Sequence, residues 1–404
     1  MGQQYPLAVI REVIHTPIPG EWGEPAESDE HETVKIIRTT NFTNEGRINY
    51  SNGVVDRVLP DKVVTAKRLK PGDIIIEKSG GSPNQPVGRV VYFDRDDETF
   101  LCNNFTAVIR VLDRGLLWPR YLHWGLYYKH QCGDTLRYQN KTTGIINLQL
   151  RKYIETETIP LPPIDTQRKI AAVLDKAQEL IDLRKAQIEK LDEFLRSVFL
   201  DMFGDPVTNP KGWDMKPIGS IAQVQTGSTP SRDNSNYYNN GLIPWIKTGE
   251  VTGNMIFGAE EFINLKALDD TNCKVCPKDT ILLAMYGQGQ TRGRAGLLKI
   301  EAATNQACAA ILPAKCLNSL YLFCQIRNRY DELRALGRGG NQPNLNLALV
   351  KGFEVLVPPL PLQQQFAAIV EKTEQQKTLM QQSLTEMENN FNSLMQRAFR
   401  GELF

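Results

Sequence analysis

The sequence predicts an α+β fold. Two β-rich globular domains are joined by two long helices that form an antiparallel coiled coil, the whole an internal pseudo-two-fold repeat. Three observations carry this reading. The stretch PPIDTQRKIAAVLDK, from Pro162, returns as PPLPLQQQFAAIVEK, from Pro358, an offset of 196 residues; a self-match at long period dictates architecture before any local pattern does. Each copy opens a run with one narrow apolar seam, the mark of a coiled-coil helix. The remaining segments are short apolar runs broken by Gly, Pro and polar residues, as strands and loops require. The chain therefore divides into a first domain (1–161), a helix (162–204), a second domain (205–357) and a second helix (358–404).

In the first domain, Ile36-Ile37-Arg38-Thr39-Thr40-Asn41-Phe42 passes from apolar to polar. The turn Leu69-Lys70-Pro71-Gly72-Asp73 feeds a strand at Ile74-Ile75-Ile76, and a Gly-rich loop from Glu77 to Arg89 leads into Val90-Val91-Tyr92. After Asn103-Asn104-Phe105 the spacing predicts a strand over 107–111 and a helix over 119–129. Arg137 to Gly144 is a second polar loop, closed by Ile145-Ile146-Asn147-Leu148. The first long helix places apolar residues at Ile170, Leu174, Ala177, Ile181, Ile188, Leu191, Leu195, Val198 and Met202, interrupted at Arg184. Asp165 is its predicted N-cap and Gly204 its stop. About 38 residues at 1.5 Å each give a length of roughly 57 Å.

The second domain repeats the first. Ile246-Lys247-Thr248 answers Ile37-Arg38-Thr39, and Pro277-Lys278-Asp279 with Ile281-Leu282-Leu283 answers Pro71-Gly72-Asp73 with its three isoleucines. Gly287 to Gly296 answers the Gly-rich loop, Asn305 answers Asn104, and Gly339 to Leu345 answers the loop ending at Asn147-Leu148. The second long helix starts near Pro361, with its seam at Phe366, Val370, Thr373, Met380, Leu384, Met387, Phe391, Leu394 and Ala398 and a polar break at Lys377. Two single-seam helices pack most economically on each other, and a pseudo-two-fold makes them antiparallel. Arg184 and Lys377 then need acidic neighbours such as Asp182 or Glu374.

Composition narrows the class. Of 404 residues 41% are hydrophobic and 23% charged, with a net charge of +1, which fits a globular chain rather than a non-specific nucleic-acid binder. No apolar run approaches the roughly 18 residues of a membrane span, and the N-terminus lacks a signal-peptide layout. Seven irregularly spaced cysteines predict a reducing, cytoplasmic setting. There is no Walker A sequence, and the Gly287–Gly293 segment has its third Gly out of place for a dinucleotide loop. Asn209-Pro210-Lys211 lacks the second Pro and the aromatic of an amino-methyltransferase motif. Asp73 with Glu77-Lys78 has the look of a nuclease carboxylate set, but the same frame returns at Asp279 without Glu-Lys, so a turn at a strand start is the better reading. Cys273 and Cys276 have no second ligand pair, and His15, His31, His123 and His130 form no triad. No catalytic residue and no metal site is predicted.

Recognition remains. The polar loops carry the side chains that read base edges, Arg and Lys for guanine and Asn and Gln for adenine. The DNA-binding candidates in the first domain are Arg38, Lys78, Ser79, Asn84, Gln85, Arg89, Tyr138, Gln139, Asn140 and Lys141. In the second they are Lys247, Tyr286, Gln288, Gln290, Thr291, Arg292, Arg294, Arg338, Asn341 and Gln342. Composition alone fits plain solvated connections as well; recurrence at matched positions of both repeats favours binding.

Taken together these motifs resemble the specificity subunit of type I restriction-modification systems over the whole chain. The resemblance rests on P-L-P-P-x-x-x-Q-x-x-I-A at Pro160 to Ala171, its counterpart at Val357 to Ala368, Gly212-Trp213, the strand openings at Asp73 and Asp279, and the terminal Ala398 to Leu403. The first domain departs from the pattern in lacking a matching Gly-Trp opening, since Trp22 follows its first strand. The resemblance implies two target recognition domains, each reading one half of a bipartite, asymmetric double-stranded DNA site, with the helices setting the spacer. It implies a non-catalytic chain without cofactors of its own. Two methyltransferase (M) subunits using S-adenosylmethionine, and restriction/translocase (R) subunits using ATP and Mg, would dock on it. The alternatives are an enzyme in its own right, a DNA nuclease or methyltransferase, and a protein-binding adaptor.

Overall fold

The computed structural model describes residues 5–25, 33–51, 53–82, 84–142, 145–287, 289–337 and 344–404, with the side chains of Lys141 and Thr142 outside that description. The chain forms two compact units. One comprises Met1–Lys185 with Gln382–Phe404 and the other Ala186–Gln381, so each long helix is shared between them.

The first unit is built on a four-stranded antiparallel sheet in the order Ile18–Pro19, Thr106–Ile109, Ile74–Glu77, Val90–Tyr92. Ile74, Ile75 and Ile76 are wholly buried, which is why this strand reads as a continuous apolar run rather than an alternating one. A second sheet orders Val55–Arg57, Val34–Ile37 and Phe100–Cys102, the last pair parallel. Leu7–Val9 pairs with Thr158–Pro160, drawing the start of the domain to the foot of the first long helix. The second unit repeats this with a five-stranded sheet in the order Val224–Thr226, Cys308–Ile311, Ile281–Ala284, Ala295–Leu298, Met255–Ile256. Its smaller sheet orders Glu261–Ile263, Ile243–Ile246 and Ala303–Thr304, and Met215–Pro217 pairs with Glu354–Leu356.

Backbone hydrogen bonds fix the correspondence of the repeats residue by residue. Glu77 N–H donates to Arg89 O and Gly88 N–H to Glu77 O; Ala284 N–H donates to Arg294 O and Gly293 N–H to Ala284 O. Two sequence-based matches shift by one as a result. Asn305 N–H donates to Ile246 O as Asn103 N–H does to Ile37 O, so Asn305 answers Asn103, not Asn104. Asp279 N–H donates to Leu298 O as Gly72 N–H does to Phe93 O, so Asp279 answers Gly72, and Thr280 answers Asp73. The reason is backbone geometry: the turn needs a left-handed residue there, supplied by Gly72 at φ +99° and Asp279 at φ +66°.

The long helices span Ile164–Phe203 and Leu360–Arg400. The first begins one residue before Asp165, which therefore lies in the first turn and not at the cap. Gly204 ends it as expected, left-handed at φ +79° with its N–H on Leu200 O. Each helix is anchored at its first turn by a wholly buried glutamine, Gln167 and Gln363. Gln167 Oε1 accepts from Trp118 N–H at 2.8 Å, while Nε2 donates to Leu116 O and Pro162 O. Gln363 Oε1 accepts from Asn318 N–H at 2.8 Å, while Nε2 donates to Cys316 O and Pro358 O.

Within each unit the two helices run antiparallel. In the second unit Phe199 and Phe203 pack edge-on against Phe366, each pair of ring centroids 5.5 Å apart, while earlier on the first helix Asp192 binds Lys377 Nζ at 2.6 Å. In the first unit Lys185 reaches Glu388 at 3.1 Å, and ten residues earlier Asp175 accepts from Trp124 Nε1, whose ring meets Phe391. Lys377 thus finds its acid in Asp192 rather than Glu374, and Asp182 is taken by Arg47. No helix among the described residues is long and apolar enough to cross a membrane.

Two predictions follow from this packing. Gln363→Ala leaves the half-buried Asn318 N–H without its acceptor and removes a wholly buried side chain, and should cost about 1–3 kcal/mol in urea denaturation; its exposed neighbour Gln364→Ala should stay within about 0.5 kcal/mol. Equal effects of the two would remove the anchoring role. The second prediction concerns pH. His123 is buried and neutral, with Nε2 against Gly46 O and Nδ1 facing Arg120; burial first, then Arg120, holds its pKa well below the ordinary value. His130 is lowered to about 4 by burial and by Arg89. Below 6.5 the unfolded chain binds protons that the folded unit refuses, so stability present above that pH is lost as pH falls toward 4. All four histidines lie outside residues 186–381. Hydrogen-exchange protection, taken relative to the intrinsic amide rate at each pH, should therefore fall between about pH 6.5 and 5.5 in the first unit and not the second; equal response in both would contradict this.

Candidate nucleic-acid interface

In the first unit the fold joins the two polar loops into one surface. Ser79–Gly81, Ile145–Leu148 and Gln139–Thr142 form a three-stranded antiparallel sheet. Ser79 Oγ donates to Asn147 Oδ1 at 2.6 Å, and Gln139 Nε2 donates to Val87 O at 3.2 Å. The Gly-rich loop is thus sewn to the later hairpin by side chains as well as backbone. Asn84, Gln85 and Asn140 are exposed on it, and Lys78, Ser79 and Gln139 are half-buried. Lys141 belongs to the strand, its side chain outside the described residues.

Other candidates in this unit are committed to partners within the protein. Arg89 makes a two-pronged pair with Glu77, both bonds 2.9 Å, and donates to Thr39 O. The side chain of Glu77 is 3% exposed, so the pair is of the kind whose partners cannot be separated cheaply. Tyr138 is buried, its hydroxyl donating to Glu157, which Lys129 and Arg137 also bind. Burial pushes the Glu157 carboxyl up, but the hydrogen bonds from Lys129 and Tyr138 and the two cations outweigh it, and its pKa falls below the usual value. Arg38 donates to the carbonyl of Gly53 and sits at the head of a single 3-10 turn.

In the second unit Tyr286 and Gln290 are exposed, and Thr291, Arg292 and Arg294 are half-buried. Arg294 donates to Gln290 Oε1 at 2.8 Å, and the loop runs into strand Ala295–Leu298, not a helix. Lys247 is bound by Glu260 and Glu261 at 2.9 and 3.0 Å, whose hydrogen bonds raise its pKa. Gln288, Arg338, Asn341 and Gln342 lie outside the described residues.

The carboxylates that suggested a nuclease are structural. Asp73 accepts two bonds of 2.7 Å from Arg110 and a third from Lys70 N–H, and Glu77 is occupied by Arg89. Cys273 Sγ donates to Ser228 O, while Cys276 Sγ accepts from Gln225. Among the described residues no group of three or more His, Cys, Asp or Glu side chains could hold a metal ion. Asn209 clamps a turn, with its amide bonded to both N–H and C=O of Trp213.

Beside each Gly-rich loop lies a cavity that the sequence reading missed. The first, about 340 Å³, is lined by Thr43, Asn84, Gln85, Arg89, Tyr127 and His130 among others. The second, about 640 Å³, is lined by Thr252, Gln290, Arg294, Arg327, Tyr330 and Arg334 among others. Tyr330 and Arg334 are four apart on the helix Tyr330–Ala335, and Arg327 lies in the last turn of the preceding helix, Ser319–Asn328, with Arg329 breaking between them; the spacing of three and four was the available signal.

Comparison with known proteins places this geometry. The chain is 26% identical over 264 residues to the type I restriction enzyme MjaIX specificity subunit of Methanocaldococcus jannaschii, covering 61% of this chain and 60% of that one. It is 25% identical to the EcoR124I/EcoR124II specificity subunit of Escherichia coli over 53% of this chain and 55% of the relative. The matches thus span between half and three fifths of these curated relatives. With the StySPI specificity subunit of Salmonella potsdam the identity is 23% over 91% of this chain and 82% of the relative. In fold, the chain is similar to the type I restriction-modification S subunit from M. genitalium, with a TM-score of 0.60 at 15% identity over 99% of this chain and 97% of that one. A chain of a type I R-M assembly gives 0.61 at 16% identity over 99% and 98%. The profile of the type I restriction modification DNA specificity domain matches twice, over residues 20–193 and 210–389, and the chain belongs to that family.

Proposed function

We propose that this chain is the DNA-reading subunit of a type I restriction-modification complex and is not itself catalytic. The observation that carries the proposal is the doubled family match over 20–193 and 210–389, coinciding with one backbone frame used twice and fitted with different loops. Each unit reads one part of a bipartite, asymmetric duplex target. The exposed amides Asn84, Gln85, Asn140 and Gln290, with Tyr286, Thr291 and Arg292, face base edges. Arg89 and Tyr138 hold the first loop surface in shape from within, while Lys247 is occupied by Glu260 and Glu261. The two long helices carry the methyltransferase subunits and set the number of unread bases between the parts. S-adenosylmethionine, ATP and magnesium belong to the methyltransferase and restriction subunits, and the complex works in the cytoplasm. Loops on a rigid frame suit this task because the frame fixes register while the loops vary.

The test is an exchange. Replacing residues 206–357 with those of a relative of different specificity, and assaying methylation by the complex, should change one part of the target and keep the other. A change in both parts would refute the modular reading. Methylation or cleavage by the purified chain alone would make it an enzyme instead.

A further inference from the structure

The two cavities beside the Gly-rich loops are the same site in the two repeats, and their charge differs. The correspondence is fixed by hydrogen bonds. Trp118 N–H binds Gln167 as Asn318 N–H binds Gln363, and the hydroxyls of Tyr121 and Tyr321 reach Pro160 O and Leu356 O. Tyr127 and His130 therefore correspond to Arg327 and Tyr330. The strand bonds already given match Glu77 with Ala284 and Arg89 with Arg294.

In the first unit Arg89 is neutralised by buried Glu77, and His130 is held uncharged by burial and by Arg89. The charge that Arg89 brings to that lining is balanced by Glu77 behind it. In the second unit the carboxylate has become the methyl of Ala284, itself wholly buried. Arg294 is left with the neutral amide of Gln290. Arg334 bonds the Tyr330 hydroxyl at 2.9 Å and the Arg292 carbonyl at 3.5 Å. Tyr330 in turn donates to Gln290 O at 2.7 Å, tying helix to loop. Among the described residues neither Arg294 nor Arg334 has a carboxylate within 4.0 Å, and Glu332, next along the helix, is taken by Arg329. Arg327 meets only Asp192, at 3.7 Å. Among the described residues three guanidiniums and no acid line this cavity. Thr252 is exposed at its wall, and Gly253 and Gly293, at φ +95° and +87°, also line it.

We infer that the cavity of the second unit, formed by Arg294, Arg327, Arg334 and Tyr330, binds a phosphodiester of the DNA backbone, and that its counterpart in the first unit does not. Guanidinium forks match the oxygens of a phosphate, and such contacts set register on the duplex without reading sequence. This inference rests on the DNA-reading role proposed above. It makes the two units unequal: the second contributes more of the salt-dependent attraction, the first more of its contact through neutral amides.

The experiment uses the full chain assembled with its methyltransferase subunits and a duplex carrying its target, with affinity measured against salt concentration. Arg294→Gln and Arg334→Gln should each lower the slope of log affinity against log salt by about one and weaken target and non-target duplexes alike. Arg334→Lys should restore the slope, which separates lost charge from lost folding. His130→Gln, at the wall of the first unit's cavity, should leave the slope unchanged. Unchanged slopes in Arg294→Gln and Arg334→Gln, with target preference intact, would overturn the phosphate site and leave the DNA-reading role standing. If Arg334→Gln abolished binding of inorganic phosphate to the complex but left the DNA slope unchanged, the cavity would serve a free anion and the inference would fall. Absence of target preference in the unaltered complex would take down both.

Discussion

The architecture depends on a buried amide used twice. Gln167 and Gln363 sit at the first turn of the two long helices, and each satisfies one N–H and two carbonyls of its own domain. The glutamine ties together the end of the domain, the start of the helix and the loop before the domain's own packed helix. An unmade hydrogen bond at such a site costs more than a made one contributes, so the helix can leave its domain in one direction only. With that direction fixed, Phe199, Phe203 and Phe366 become part of the core of the second unit rather than a seam beside it. The first unit does the same with Trp124, Tyr121 and Tyr128 against Phe391 and Phe399.

That anchoring frees the loops. Both units keep the same strand frame down to individual backbone bonds, yet the residues hung on it diverge. Lys78 and Met285 hold the same place, their carbonyls accepting from Leu148 and Leu345 N–H and their own N–H donating to Phe105 and Ala307 O. One is half-buried and polar, the other buried and apolar. Likewise Glu77 and Ala284 occupy one position, and the difference decides whether the neighbouring arginine is locked inside or left for a ligand. A shared frame with exchangeable chemistry is what the proposed reading of two unlike sequences would demand.

Much of the fold was legible in the sequence because its signals are periodic or repeated. The seams at three- and four-residue steps mark the long helices, and the triple isoleucine marks a strand buried on both faces. The matched prolines and glutamines mark where each helix begins. The misplacements were local. Asp279 matches Asp73 by letter, whereas the turn selects for a left-handed backbone that Gly72 and Asp279 share. For the site, the exposed amides of the loops were legible from composition. The fixed roles of Arg89 and Tyr138 were not, since their acids lie 12 and 19 residues away and meet them only after the chain folds back. Arg327, Tyr330 and Arg334 escaped because they share a segment whose apolar residues, such as Leu322 and Phe323, read as core.

The central claim is that one chain presents two independent readers to one DNA site. Sequencing methylated adenines in DNA exposed to the assembled complex tests it most directly. The account predicts a single motif in two short, unlike parts separated by a fixed number of unread bases. A continuous motif, a symmetric one, or a spacing that varies from site to site would contradict it.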